Sequence, residues 1–105
     1  MEANNIRTID EFGKVVIPRQ LRIMHDLQTF RGTVQVLISN DNQLLLYSSN
    51  VSGQIPDGFK YKELSIDDFG RISVLSILGC LKKVQFKEIF DSSNRLEYIE
   101  VKPIW

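Results

Sequence analysis

Short apolar runs alternate with polar turn residues along the first half of the chain, and this pattern predicts strands. Gly13 lies between two such runs, where a turn needs a residue that tolerates positive φ. Pro18 ends the second run and suits the start of a helix. The predicted elements are strands at 7–10, 14–17, 34–39 and 44–48, and one short helix from 19 to about 26.

The second half repeats this order of elements. It predicts a strand near 61–66, a turn at 67–70, a strand from 71, a helix near 76–83 and a closing hairpin around 91–94. The stretch between the halves, about 49–60, holds Gly53, Pro56 and Gly58 and few apolar residues, which is typical of a linker. A dozen extended residues reach about 40 Å, enough to cross a small barrel.

The sequence also contains an internal repeat. Residues 9–15, I-D-E-F-G-K-V, recur at 66–72 as I-D-D-F-G-R-I, with four of seven positions identical. A second match relates Asn42-Gln43-Leu44 to Asn94-Arg95-Leu96. We interpret the chain as repeat one (about 5–48) and repeat two (about 61–105). A unit of about 45 residues is marginal by itself, so we expect one intertwined, pseudo-two-fold domain.

Repeat one resembles a known family. Its segment R-T-I-D-E-F-G-K-V-V-I-P-R-Q-L-R, residues 7–22, is similar to the opening motif of the AbrB/SpoVT transition-state regulators. The resemblance covers about 45 residues and implies a mainly β fold, a swapped-hairpin barrel built from two β-β-α-β-β units with one short helix each. Members bind DNA as dimers or higher oligomers, so the resemblance implies a bacterial transcriptional regulator, here with two fused units.

The resemblance also implies DNA-contacting residues, carried over position by position. They are Arg7, Lys14 (usually Arg in the family) and Arg22, while the family's frequent second Arg is replaced by Ile23. We add Arg19, a cation in the first turn of the predicted helix. Repeat two departs from the motif, with Leu64, Leu75 and Gly79 at three matching positions, and only Arg71 keeps its charge. The expected DNA-binding set is therefore Arg7, Lys14, Arg19, Arg22 and Arg71.

Charge and composition narrow the function further. The 13 basic and 13 acidic residues cancel, so any DNA-binding surface must come from local placement of charge. The sequence shows no signal-peptide pattern and no long apolar run, so we expect neither a signal peptide nor a membrane span. Its single cysteine, Cys80, fits a reducing cytoplasm. It also lacks a phosphate loop, a nucleophile elbow and a metal-ligand cluster, so we expect no enzyme activity, cofactor or metal.

Individual residues have simple structural interpretations. Phe12 and Phe69, at matching turn positions, are expected to fill the core, with stacking on a base as the alternative. Cys80 is expected to be a buried hydrophobe. His25 is expected near the end of the helix, where a cation interacts favourably with the helix dipole. Trp105 is expected to pack on the barrel or to mark a partner surface.

Two classes of function stay open. The first is promoter binding through repeat one, and the second is a protein-interaction module that keeps the fold but has lost DNA binding. A variant of the second is the antitoxin of a toxin pair, although such antitoxins usually add a flexible tail after the last strand. Self-association as a dimer or higher oligomer is compatible with both.

Overall fold

Eight strands and two short helices follow one another in the described residues, 5–27, 32–47, 55–79 and 82–104, of this computed structural model. The first half holds β1 (Ile6–Thr8), β2 (Lys14–Val16), α1 (Arg19–Met24), β3 (Thr33–Ser39) and β4 (Leu44–Tyr47). The second holds β5 (Phe59–Ser65), β6 (Arg71–Ser73), α2 (Leu75–Leu78), β7 (Lys83–Phe90) and β8 (Leu96–Ile104). The predicted mainly β composition, with one short helix in each half, is confirmed.

The largest error of the sequence prediction is the second helix. It was expected at about 76–83, but α2 ends at Leu78 and Lys83 begins β7. Gly79 follows α2 with φ of 85°, a conformation that stops a helix. The linker also ends earlier than predicted, because β5 begins at Phe59. Cys80, Trp105 and residues 49–54, the first half of the predicted linker, lie outside the described residues.

The strands form one sheet of six and one of two. The six-stranded order is β1-β7-β8-β4-β3-β5, and β2 pairs with β6. The first strand of each half thus lies against the hairpin of the other half, β1 on β7 and β5 on β3, all antiparallel. Because the order ends at β1 and β5, the described strands do not close into a hydrogen-bonded barrel.

Both halves supply the hydrophobic core. Alternate residues of a strand face the same side. The strands β3, β4, β7 and β8 each contribute two or three buried side chains, whereas β2 and β6 contribute one each. Among described residues the largest fully buried ones include Ile17, Leu46, Ile72, Phe86 and Ile99. They belong to one cluster, so neither half has a core of its own among these residues.

Four tight turns share one hydrogen-bonding pattern. They cover residues 10–13, 39–42, 67–70 and 91–94, and each begins with Asp or Ser and ends with Gly or Asn. The first side chain accepts hydrogen bonds from the backbone N–H groups two and four residues later. The last residue has positive φ, between 62° and 78°. This geometry explains the Asp, Ser, Gly and Asn residues at these positions.

Candidate nucleic-acid interface

The pairing of β2 with β6 brings cations of both halves to one surface. Lys14 pairs with Ser73, and Val16 pairs with Arg71. The central residues, Val15 and Ile72, are buried in the core. Strand alternation therefore places Lys14, Val16, Arg71 and Ser73 together on the outward side. We call these four residues, with Arg19 and Arg22 of α1, the ladder surface.

The turns that precede β2 and β6 place an aspartate beside this surface. Asp10 accepts hydrogen bonds of 2.9 Å from the backbone N–H groups of Phe12 and Lys14. Asp67 does the same for Phe69 and Arg71, also at 2.9 Å. Hydrogen bonds from the backbone of Lys14 and Arg71 lower the pKa of Asp10 and Asp67 respectively, and the Arg71 charge lowers both further.

Arg71 is held by both of these carboxylates. Its Nε lies 2.7 Å from Asp67 Oδ2, and its Nη1 lies 3.1 Å from Asp10 Oδ2. The hydrogen bond with Asp67, the largest cause, raises the pKa of the guanidinium above its ordinary value. The guanidinium also lies 5.3 Å from the centroid of the Phe69 ring. The charge of Arg71 is therefore largely compensated within the protein.

Helix α1 packs against the turn of the other half. Ile17, just before the helix, donates its N–H to the carbonyl of Gly70 at 2.9 Å. The Nε of Arg22 donates to the carbonyl of Ile17 at 3.2 Å. A Cβ atom on Gly70 would lie only 2.6 Å from Cζ of Arg22. The Arg22 guanidinium therefore lies directly over Gly70, the residue before Arg71.

The other three cations predicted to contact DNA are Arg19, Lys14 and Arg7, and they do not all lie on the ladder surface. Arg19 is exposed at the start of α1, and Lys14 is half-buried on the ladder. Among the described residues, neither of them nor Arg22 forms a salt bridge with a carboxylate. Arg7 belongs to β1 at the edge of the six-stranded sheet, where it pairs with Val84 and bonds the carbonyl of Ile6 at 2.9 Å. Arg7 is therefore not part of the ladder surface.

Sequence reasoning misplaced the two phenylalanines. Phe12 is 68% exposed and Phe69 is 73% exposed, so the expectation that they fill the core is wrong. Each is the third residue of a turn whose first and last residues bond to one another, which leaves the third at the tip. The shared D-x-F-G spacing could have indicated this exposure, because a tight turn has few buried positions.

The two turns differ in what packs on them. In the first, the carbonyl of Gly13 accepts the N–H groups of Val74 and Leu75 at 2.9 and 3.2 Å. A Cβ on Gly13 would lie 2.5 Å from Cβ of Leu75. The turn 10–13 is thus covered by an apolar side chain of repeat two, whereas the turn 67–70 is covered by Arg22 of repeat one.

Acidic side chains balance the cations of this region. Glu11 and Asp68 are exposed at the turn tips, beside Phe12 and Phe69. Counted with the two turn aspartates, four carboxylates accompany four cations. The full set is Asp10, Glu11, Asp67 and Asp68 with Lys14, Arg19, Arg22 and Arg71. The local charge is therefore small, and unpaired positive charge comes mainly from repeat one.

His25 has a structural partner. Its Nε2 lies 2.7 Å from Oε2 of Glu88 on β7, which ties the end of α1 to the six-stranded sheet. Across the described ranges, no group of three or more His, Cys, Asp and Glu side chains is placed to hold a metal ion. Neither of the two helices in those ranges is long and apolar enough to cross a membrane.

Comparisons with known proteins add no assignment. No family model, no curated protein and no solved structure matches the chain.

Proposed function

We propose that the protein binds DNA through the ladder surface and acts as a cytoplasmic transcriptional regulator of the AbrB/SpoVT type. The observation that carries the proposal is the position of Arg22, which lies over Gly70 of the other half, the residue before Arg71. Arg19 on the same helix and Lys14 on the ladder are two further cations of this surface. Guanidinium groups suit phosphate oxygens and guanine edges, and Lys14 supplies a point charge.

The pattern of strand exchange supports the same proposal. β1 of the first half pairs with β7 of the second, and β5 of the second pairs with β3 of the first. β2 with β6, and β4 with β8, are pairs between matching elements of the two halves. An exchange of this kind is what a fused pair of swapped-hairpin units requires. A single chain would then supply the DNA-binding unit that family members assemble from two.

The charge balance sets the expected strength of binding. Lys14, Arg19 and Arg22 are the cations of the surface without a carboxylate partner among the described residues. Three phosphate contacts give a shallow dependence of log affinity on log salt, with a slope on the order of −3. Binding by one chain should therefore be modest, and the protein would act by occluding promoter DNA and following groove shape as much as base edges.

A titration of fluorescent duplex DNA at two salt concentrations tests the proposal. Fluorescence anisotropy should report binding at low salt that weakens with added salt along a slope near −3. A promoter fragment and a generic fragment of equal length separate specific from general affinity. Lack of binding to both fragments at low salt would contradict the DNA-binding function.

A second candidate is protein interaction through the same region, and its specific support is apolar exposure. Ile23 and Met24 on α1 and Leu75 on α2 are exposed, as is Val16 on the ladder. Exposed aliphatic groups with nearly balanced charge are typical of the core of a protein interface. This candidate predicts no affinity for DNA, and a protein partner whose capture is lost in Ile23→Ser but kept in Arg22→Gln.

A further inference from the structure

Phe69 lies at the meeting point of the two halves. It occupies the tip of the turn 67–70 and is 73% exposed. Arg71 of the same half lies over its ring at 5.3 Å, and Arg22 of the other half lies over the neighbouring residue, Gly70. The Phe69 ring and the Arg71 guanidinium are thus in contact, and Arg22, from the other half of the chain, covers the residue between them in the sequence.

This arrangement places an apolar platform beside positive charge. The ring keeps most of its surface in water, which costs free energy unless a ligand covers it. Arg71 is anchored by Asp10 and Asp67, so the guanidinium over the ring is fixed. Arg22 bonds only the carbonyl of Ile17 among the described residues, so its remaining N–H groups face no protein acceptor there. A ligand with a planar group to stack on the ring and an anion to bind Arg22 matches both features.

We infer that Phe69 and Arg22 form a composite site for one unpaired nucleotide, with the base stacked on the ring and its phosphate bound by Arg22. The inference rests on the proposed DNA-binding function and specifies its ligand as single-stranded or locally unstacked DNA. Stacking on an aromatic side chain accepts any base, because every base has a π face. Stacking also supplies affinity that does not depend on net positive charge. This matters here because the surface is nearly neutral.

Phe12 provides a matched comparison within the same molecule. It occupies the same position of the same type of turn and is 68% exposed, close to the value for Phe69. Its turn is covered by Leu75, where the turn of Phe69 is covered by Arg22. The side chain nearest to Gly13 is Leu75, so a nucleotide on Phe12 would lack the counterpart of Arg22, which covers Gly70 next to Phe69. The site is therefore assigned to the turn of repeat two, which lost the other basic residues of the motif.

The experiment measures the fluorescence anisotropy of a labelled single strand of about twelve thymidine nucleotides, and of a labelled duplex of equal length, at low salt. We expect Phe69→Ala to weaken binding of the single strand about tenfold or more, the size of a lost stacking contact. Phe69→Trp should keep the affinity, and Phe12→Ala should change it less than twofold. Circular dichroism of each variant checks folding, which an exposed position should leave intact.

The possible outcomes separate this inference from the proposed function. Loss of single-strand affinity in Phe69→Ala, with duplex affinity less affected, supports the stacking site. Duplex binding by the wild type with no effect of Phe69→Ala on either ligand overturns the site alone, as does an equal loss in Phe12→Ala. Absence of all DNA binding by the wild type overturns the proposed function as well.

Discussion

Asp10 of the first repeat and Arg71 of the second are joined by a hydrogen bond of 3.1 Å between Oδ2 and Nη1. The same guanidinium bonds Asp67 of its own turn at 2.7 Å. One arginine therefore connects the two turns on either side of the β2–β6 ladder. Arg71 of repeat two is thus a link between the halves. On the ladder surface, the cations without a carboxylate partner among the described residues are those of repeat one.

The first prediction concerns this link. Arg71→Gln should lower the urea midpoint of unfolding, because it removes contacts with two carboxylates and a ring. Arg95→Gln is the control, since Arg95 follows the same kind of turn but contacts one carboxylate, Asp91, at 3.5 Å. Its side chain is 79% exposed, so its loss should have little effect. Equal midpoints for the two variants would show that the link contributes no stability.

The second prediction concerns acid stability. Backbone hydrogen bonds hold the pKa of Asp10 and Asp67 below the ordinary value of 3.8. Their contribution to the free energy of unfolding is complete above that value, where both states are ionised. It is lost as the pH falls through the native pKa, because the unfolded chain binds protons first. Urea midpoints should therefore decline on acidification from about pH 5 toward pH 2.

The double variant Asp10→Asn with Asp67→Asn isolates this contribution. Asparagine keeps an oxygen for the turn hydrogen bonds but loses the ion pairs with Arg71. We expect a lower midpoint near neutral pH and a flatter pH profile, with a residual slope from Asp91, whose pKa is also lowered. A profile as steep as that of the wild type would refute the assignment.

The third prediction compares two glycines with nearly equal φ, Gly13 at 76° and Gly70 at 78°. Alanine at either position costs about 1–2 kcal/mol for the left-handed conformation. Gly13→Ala should cost more, because its Cβ would meet Cβ of Leu75, which is fixed to the backbone of α2. Gly70→Ala meets only the end of the Arg22 side chain, which can move. Chemical denaturation should rank them in that order, and the reverse order would contradict these contacts.

The fourth prediction tests the shared core on a single strand. Phe86 of β7 is 1% exposed, and Phe86→Ala should lower the free energy of unfolding by about 3–5 kcal/mol. Phe90, at the end of the same strand, is exposed, so Phe90→Ala should cost much less. Denaturant unfolding compares the two variants directly. If Phe86→Ala changed the free energy of unfolding only slightly, packing against the six-stranded sheet would not be a main source of stability.

The repeat made much of the fold predictable from sequence. The D-x-F-G motif identified the turns before β2 and β6, and Asn42 and Asn94 identified the hairpin turns. Residues of these types depend on the local backbone conformation of a turn, so they can be recognised without knowledge of the tertiary contacts. The end of α2 was missed, because the predicted helix was carried past Gly79, where the backbone takes positive φ.

The candidate site was harder to predict, because its contacts are between repeats. The motif position and the charge of Arg71 indicated a DNA contact, and nothing in the sequence shows that Asp10 bonds it across the ladder. The covering of Gly70 by Arg22 depends in the same way on tertiary packing. The exposure of Phe69 could have been inferred from its turn, where the third residue has no core to enter.

The most direct test of the central claim is the duplex affinity of Arg22→Gln measured beside Arg95→Gln at low salt. Both variants remove one arginine, so they lower the total charge of the chain equally. If the ladder surface binds DNA, Arg22→Gln should weaken binding about tenfold, in the range of one lost charge-assisted contact, and Arg95→Gln should match the wild type. Equal affinities for the two variants would contradict the account.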